Sequence, residues 1–200
     1  ISKILNDGLA RARGEYIARL DDDDYWIDAE KLAKQVAYLD AHPECVIVGT
    51  GVVVVDGTGG ERYRYLKKKS DADIRASALT ANPFTHSSVL YRKATELTVG
   101  GYGNPYIEDW ALWLAMGTRG LFHNIPQYSI AYLMAENNKT WIFQRAQYRE
   151  VIKIIWRFRR NYPYFFRGFI INCFAYTYMF LPHGIRRLLQ GHASRFKRNL

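Results

Sequence analysis

An α/β fold followed by a helical, basic and aromatic extension is predicted for this chain of 200 residues by three observations. Helix-like and strand-like segments alternate as far as residue 137, which is typical of α/β proteins. A β-branched run at 45–55 is too uniformly apolar for a half-exposed strand and predicts a buried one. Beyond residue 137 the alternation stops, and basic and aromatic residues dominate. We therefore predict two domains, at residues 1–137 and 138–200.

The first predicted helix carries Leu5, Leu9 and Ala12 at helical spacing and ends near Arg13. Asp28 is the predicted N-cap of a second, amphipathic helix. Hydrophobic patterning and turn residues predict the remaining elements. The predicted strands are at 15–20, 45–55, 87–91, 121–125 and 128–134, with a hairpin partner or a loop at 62–66. The predicted helices are at 29–41 and 71–80, together with a buried helix that begins at Glu108 and Asp109 and runs to residue 116, and a glycine-rich loop lies at 100–103.

Charge is distributed unevenly along the chain, whose net charge is +9. Residues 139–200 contain thirteen Lys or Arg and one acid, Glu150, which gives a local charge of +12 and leaves −3 for residues 1–138. A basic segment of this kind attracts anionic partners such as phospholipid headgroups, nucleic acid or a pyrophosphate-bearing lipid.

The extension combines a basic stripe with apolar surface. Arg145, Arg149, Lys153 and Arg157 recur every four residues, and the aromatic stretch at 165–181 is short for a membrane-spanning helix. This pattern predicts a helix lying in an anionic membrane surface and no nucleic-acid partner. The alternative is an ordinary helical pair whose arginine stems cover apolar surface.

Four consecutive aspartates, Asp21–Asp24, follow a predicted strand. Neighbouring carboxylates repel one another, and burial raises their pKa values unless a cation compensates. Hard oxygen ligands suit Mg²⁺ or Mn²⁺, which keep coordination positions for diphosphate oxygens. The alternative is a solvated acidic turn or a helix cap.

Several motifs in a fixed order resemble glycosyltransferase family 2. The residues that carry the resemblance are Ser2, Asn6, Gly8, 12–17, 20–24 and Trp26, the segment 82–92, and Gly100-Gly101-Tyr102 followed by 108–113. The resemblance covers residues 1–134. It implies a GT-A, Rossmann-like nucleotide-diphospho-sugar transferase sandwich that uses a nucleotide-sugar donor, with a UDP-sugar expected, and inverts the anomeric carbon.

The resemblance also implies roles for residues of the first domain. Asp23 and Asp21 would bind Mn²⁺ or Mg²⁺, with Asp24 supporting them, although a one-residue shift along the acidic run stays open. The metal would neutralise charge on the departing diphosphate. The residues expected to bind the donor are Asn6, Arg13, Asp21 and Asp22. Arg13 and Arg19 are alternatively partners of the carboxylates, the interpretation we favour.

Asp109 matches the general base of the family, which takes a proton from the acceptor hydroxyl. Trp110, Trp113 and Phe84 are expected to desolvate it, and the alternative role is a helix N-cap. The residues expected on the acceptor side are His86, Glu108 and Trp110, with His86 alternatively an ordinary hydrogen-bonded polar residue. Trp26 is expected in the core rather than on a sugar, and Lys67, Lys68 and Lys69 in a solvated loop.

The first strands of the family and their acidic nucleotide contact do not precede Ile1, so we interpret the chain as a GT-A domain truncated at the N-terminus. The extension resembles those of bacterial members that glycosylate lipid-linked saccharides. The expected function is therefore transfer of a sugar to a saccharide or lipid-linked acceptor in cell-surface polysaccharide synthesis, peripheral at the cytoplasmic face of a membrane. The alternative is a non-catalytic nucleotide-sugar or carbohydrate-binding protein.

Overall fold

A computed structural model describes residues 1–104, 106–134 and 144–181. The predicted domain boundary at 137 and the parts of the extension at 138–143 and 182–200 lie outside the described residues. Two compact units divide the chain. The first comprises described residues of 1–74 and 82–138, and the second those of 75–81 and 139–200.

The first unit contains one six-stranded sheet and five helices among its described residues. In chain order its elements are α1 (Ser2–Arg11), β1 (Tyr16–Ala18), β2 (Tyr25–Trp26), α2 (Lys31–Ala41), β3 (Cys45–Val55), β4 (Glu61–Tyr65), α3 (Asp71–Ser77, whose end falls in the second unit), a 3₁₀ turn (His86–Ser88), β5 (Leu90–Arg92), α4 (Lys93–Val99), α5 (Glu108–Met116) and β6 (Leu121–Leu133).

The sheet is built around β3, every residue of which is buried. Its strand order is β1-β5-β3-β6-β2, and β4 pairs with the second half of β3. The β3–β6 pair is parallel, while β1–β5, β2–β6, β3–β4 and β3–β5 are antiparallel. Because β1 and β2 lie at opposite edges, the loop that joins them crosses the sheet.

Side chains cover both faces of β3. Val48 packs with Leu39 of α2, while its neighbour Gly49 approaches the ring of Phe84 on the other face. Phe84 meets Trp113 of α5 edge to face, with ring centroids 6.3 Å apart. The sheet is therefore packed between helices, as the apolar run of β3 predicts.

Three sequence predictions are corrected, and helix α4 is an addition to them. The segment predicted as a strand at 87–91 begins with the 3₁₀ turn, and β5 starts only at Leu90. The two strands predicted at 121–125 and 128–134 are one strand, β6. Glu30, and not Asp28, is the N-cap of α2, although an Asp28 carboxylate oxygen accepts the Glu30 N–H at 3.0 Å. Helix α4 is not predicted by the hydrophobic pattern.

The second unit contains two long helices among its described residues, α6 (Gln144–Arg157) and α7 (Phe165–Tyr178). Val151, Ile154 and Ile155 of α6 are buried. In the described parts of the chain, no helix combines the length and apolar character needed to cross a membrane.

Candidate active site

The acidic loop, residues 20–24, is attached to the sheet on two sides. The Asp21 N–H donates to the Ser87 hydroxyl at 3.0 Å, beside the start of β5. At the other end, the Leu133 N–H of β6 donates to an Asp24 carboxylate oxygen at 3.2 Å. The loop is therefore fixed to both sides of the central strand β3.

Ser87 organises this loop, and the sequence analysis did not single it out. Its buried hydroxyl donates to the carboxylates of Asp24 and Asp21, the latter at 3.2 Å. Its carbonyl accepts the indole N–H of Trp26 at 3.3 Å. A small polar residue beside an apolar strand is a weak sequence signal, because its partners lie more than 60 positions away.

The four aspartates have unequal surroundings. Asp24 is only 7% exposed, and burial raises its pKa to about 6, although hydrogen bonds from Ser87 and Leu133 oppose the increase. Asp21 is half-buried and pairs with the Arg19 guanidinium at 2.5 Å, which confirms the favoured structural pairing of Arg19. Asp22 and Asp23 are exposed.

The acidic loop offers suitable ligand chemistry for a divalent cation. Carboxylate oxygens are hard donors, and the exposed Asp22 and Asp23 are accessible to an ion. Within the described residues, no three His, Cys, Asp or Glu side chains are arranged to hold a metal by themselves. Mg²⁺ is commonly bound by one or two carboxylates together with substrate phosphates, so this donor set fits such an ion.

Trp26 and Lys31 lie beside the loop. The Trp26 N–H bonds Ser87, and the Lys31 ammonium lies 4.6 Å from the centroid of a Trp26 ring. Lys31 is buried, and burial lowers its pKa to about 8. Its ammonium donates to Gln35 at 2.8 Å, and the Gln35 amide donates to the carbonyls of Val48 and Ser88. Trp26 therefore has a packing role, as expected.

Asp109 lies in the first turn of α5 and accepts two hydrogen bonds. The Asn82 side-chain amide donates to one carboxylate oxygen at 2.7 Å, and the Trp110 N–H donates to the other at 2.6 Å. The N-cap of α5 is Ile107, so the alternative N-cap role for Asp109 is wrong. Asn82 is a further site residue, which the sequence analysis included only within the segment 82–92 that carries the family resemblance.

Lys67 also belongs to this site, whereas the sequence predicted a solvated loop. Its ammonium donates to the Asn82 carbonyl at 3.0 Å. Burial lowers the pKa of Lys67, and the negative charge of Asp109 acts in the opposite direction. Lys68 and Lys69 are exposed, so the solvated-loop prediction holds for those two residues.

His86 lies beside Asp21 of the acidic loop. Its Nδ1 is 3.9 Å from an Asp21 carboxylate oxygen, and its Nε2 is 3.1 Å from the Tyr102 hydroxyl. Burial lowers the pKa of His86, although the charges of Asp109 and Asp21 oppose the decrease.

The other two residues predicted on the acceptor side lie on α5. Burial raises the pKa of Glu108, and Trp110 is buried.

The two remaining predicted residues lie on or after α1. The Asn6 side chain donates to the Tyr102 carbonyl at 2.8 Å and accepts the Tyr102 N–H at 2.9 Å, so it fixes the loop after α4. Arg13 is exposed beyond the end of α1.

A cavity of about 340 Å³ lies between α1 and β1, with Tyr91 and Tyr102 in its lining.

Solved structures of two glycosyltransferases resemble this fold. Staphylococcus aureus TarS, residues 1–349, superposes with a TM-score of 0.57 at 15% identity, covering 90% of this chain and 52% of that chain. The mannosyltransferase PcManGT from Pyrobaculum calidifontis, solved with GDP-Man and Mn²⁺, gives a TM-score of 0.53 at 16% identity, covering 97% of this chain and 59% of that one. The architecture is thus the predicted GT-A fold of glycosyltransferases.

Sequence comparisons identify the family. The model described as Glycosyl transferase family 2 matches residues 1–97. An Escherichia coli relative, UDP-Gal:alpha-D-GlcNAc-diphosphoundecaprenol beta-1,3-galactosyltransferase, is 30% identical over 190 residues, covering 83% of this chain and 68% of the relative. The amylovoran biosynthesis glycosyltransferase AmsE of Erwinia amylovora is 38% identical over 121 residues, covering 60% of this chain and 45% of AmsE. This chain belongs to glycosyltransferase family 2.

Proposed function

We propose that this chain is an inverting hexosyltransferase that moves a sugar from a nucleotide-diphosphate donor to a saccharide or lipid-linked acceptor in cell-surface polysaccharide synthesis. Family membership supports glycosyl transfer. Because the chain spans less than half of AmsE, the donor, acceptor and activity of the whole protein are part of this proposal.

One observation carries the proposal. The short segment 82–88 contacts both the acidic loop and Asp109. Asn82 donates a hydrogen bond to Asp109, and the Ser87 hydroxyl bonds Asp21 and Asp24. In the same segment, His86 Nδ1 lies 3.9 Å from an Asp21 carboxylate oxygen, and the charges of Asp109 and Asp21 oppose the lowering of the His86 pKa by burial. These contacts support a site in which a loop suited to a metal and diphosphate acts together with a carboxylate suited to proton abstraction, as a single displacement at the anomeric carbon requires.

We assign the base role to Asp109. Its carboxylate takes the proton of the acceptor hydroxyl as the hydroxyl oxygen attacks the anomeric carbon and the bond to the diphosphate breaks. Asn82 holds one carboxylate oxygen at 2.7 Å, which orients the base. His86 and buried Trp110 are assigned to the acceptor side, together with Glu108.

The acidic loop is assigned to the donor. Asp23 and Asp21 are the proposed ligands of Mn²⁺ or Mg²⁺, with Asp22 beside them, and such an ion would supply charge neutralisation at the departing diphosphate. Asn6 and Arg13 are also assigned to the donor region, Asn6 through its hydrogen bonds to the Tyr102 backbone. The UDP-Gal in the name of the E. coli relative supports a UDP-sugar donor.

We further propose that the two predicted domains divide the work. Residues 1–137 carry the chemistry, and residues 138–200 hold the protein at the cytoplasmic face of an anionic membrane, where a lipid-linked acceptor would be accessible. The charge of +12 in residues 139–200, from thirteen cations and one acid, supports this division.

The test is release of nucleoside diphosphate from a panel of nucleotide-sugars, with and without Mn²⁺. The variants are Asp23→Ala and Asp109→Asn, and the matched control is Asp7→Asn, which changes an exposed aspartate on α1. We expect metal-dependent release that both site variants abolish and the control retains. Metal-dependent nucleotide binding without release from any donor would favour the non-catalytic binder, and absence of nucleotide binding would refute the proposal.

A further inference from the structure

The outward face of α7 is apolar. Phe166, Ile170 and Phe174 are 76%, 64% and 70% exposed and recur every four residues, so they form one continuous stripe, here called the α7 ridge. A helix on the surface of a water-soluble domain usually presents polar residues on its outer face. The α7 ridge has the opposite character.

The rotation of α7 is fixed by its inner face. A Cβ atom at Gly168 would lie 2.5 Å from the Leu79 carbonyl oxygen, so only glycine permits this close approach. The Asn172 amide is buried and donates to the carbonyls of Leu79 at 3.2 Å and Gly168 at 2.9 Å. Turning α7 to bury the ridge would break these contacts, so the outward direction of its apolar side chains is built into the fold.

Cations lie directly beside exposed aromatic rings at two places in this unit. Trp156 of α6 is 53% exposed, and the Arg159 guanidinium carbon lies 4.8 Å from the centroid of its ring. Phe180, just beyond α7, is 55% exposed, and the Arg145 guanidinium carbon lies 4.8 Å from its centroid. The apolar and cationic parts of the surface are therefore adjacent.

The two helices meet through Trp156. Its ring lies 5.7 Å from that of Phe165 and 6.1 Å from that of Phe169, centroid to centroid. The side chains of Arg149 and Lys153 on α6 are 59% and 62% exposed, and both pair with the single carboxylate of Glu150, at 3.6 and 2.7 Å, so the three residues together keep a positive charge. A partner of this surface must therefore accept apolar side chains and carry negative charge.

An anionic phospholipid bilayer meets both requirements. Helix α7 has 14 residues, which at 1.5 Å per residue corresponds to about 21 Å, less than the roughly 30 Å hydrocarbon core of a bilayer. It would therefore lie along the membrane rather than cross it. Interfacial helices of this kind insert apolar side chains at the boundary between headgroups and acyl chains, while Lys and Arg contact the phosphates.

We propose that the second unit binds anionic phospholipid bilayers through the α7 ridge, with Phe166, Ile170 and Phe174 inserted and the cations of α6 on the lipid phosphates. This inference deepens the membrane part of the proposed function. It is tested by binding alone, so failure of the transferase assay would leave it standing, and failure of binding would leave the transferase assignment standing.

The experiment is co-sedimentation of the chain with phosphatidylcholine vesicles, with and without phosphatidylglycerol. The ridge variant combines Phe166→Ser, Ile170→Ser and Phe174→Ser. The matched control combines Ile4→Ser, Leu97→Ser and Leu121→Ser, which also alter exposed apolar residues but lie in the first unit. Circular dichroism confirms that each variant is folded.

We expect binding to the anionic vesicles that falls at least tenfold in the ridge variant and less than twofold in the control. Arg149→Gln together with Arg157→Gln should weaken it by about 25-fold, because each cation near an anionic leaflet strengthens binding about fivefold. Equal binding by the ridge variant and the unaltered chain would overturn the proposal. Failure of the unaltered chain to bind vesicles would also overturn it. In that case, a dimer that the ridge variant does not form would identify a second copy of the chain as the partner, and binding to RNA would identify a nucleic acid.

Discussion

Replacing Lys31 with methionine should change how stability depends on pH. Burial lowers the pKa of Lys31 from 10.5 to about 8. Between these values the unfolded chain binds more protons than the folded one, so this residue makes stability rise with pH. Below pH 8 the buried charge costs about 3 kcal/mol, from roughly 2.5 pKa units at about 1.36 kcal/mol each.

At neutral pH the substitution removes this cost but also loses stabilising contacts. The Gln35 side-chain oxygen loses the hydrogen bond of 2.8 Å from Lys31, which costs about 1–3 kcal/mol. The Trp26 ring loses its cation–π contact, which costs about 0.5–2 kcal/mol. The net change at pH 7 should therefore be small. The informative quantity is the difference in the free energy of unfolding between the unaltered chain and Lys31→Met. From pH 7 to pH 10.5 this difference should change by about 3 kcal/mol in favour of the unaltered chain.

Urea unfolding monitored by circular dichroism across this pH range measures the difference. Lys34→Met is the matched control on the same helix, because hydrogen bonding to Asp28 raises the pKa of Lys34 and gives its pH trend the opposite sign. Stability curves that run parallel for Lys31→Met and the unaltered chain would show that burial does not penalise the ammonium, and the reasoning would fail.

Three further outcomes are expected. Asn82→Ala should lower kcat about tenfold or more in the nucleoside-diphosphate assay while changing KM for the donor little, because Asp109 loses a bond of 2.7 Å that orients it; an unchanged kcat would contradict the positioning role. Gly101→Ala should destabilise the chain by about 1–3 kcal/mol in urea unfolding, because φ is +71° and a Cβ would lie 2.7 Å from the Asn6 oxygen; unaltered stability would contradict this. Ser87→Ala should weaken Mn²⁺ binding in calorimetry, and retained affinity would show that the acidic loop holds its shape without that hydroxyl.

The elements that the sequence predicts well have uniform composition. The strand β3 has the bounds that its β-branched run indicates, and the surrounding large residues predict that α5 is buried. The prediction of two strands instead of β6 has a local cause, because Pro126 resembles a break. It lies where the pairing of β6 with β3 shifts register, so the ladder continues past it.

Within the site, the sequence motifs identified the acidic loop and Asp109. They did not identify Ser87 and Asn82, whose hydrogen bonds hold these groups in position. Ser88 closes a local turn by donating to the Thr85 carbonyl, so the predicted strand at 87–91 began too early, and only its end overlaps β5. The contact of Lys67 with Asn82 joins residues 15 positions apart, and no local pattern separates Lys67 from its two exposed neighbours. Long-range hydrogen bonds of this kind become visible only when the chain is folded.

The way the acidic loop is attached has a consequence for sequence divergence. The residues that flank the loop, Arg19 and Trp26, donate to the carbonyls of Val89 and Ser87, and the N–H of Leu133 donates to Asp24. All three partners are backbone groups, so substitutions at Val89 and Leu133 other than proline leave these contacts in place, whereas Ser87 also contributes its hydroxyl. Side chains around the loop can then change one at a time while the backbone contacts that hold the proposed diphosphate-binding loop persist.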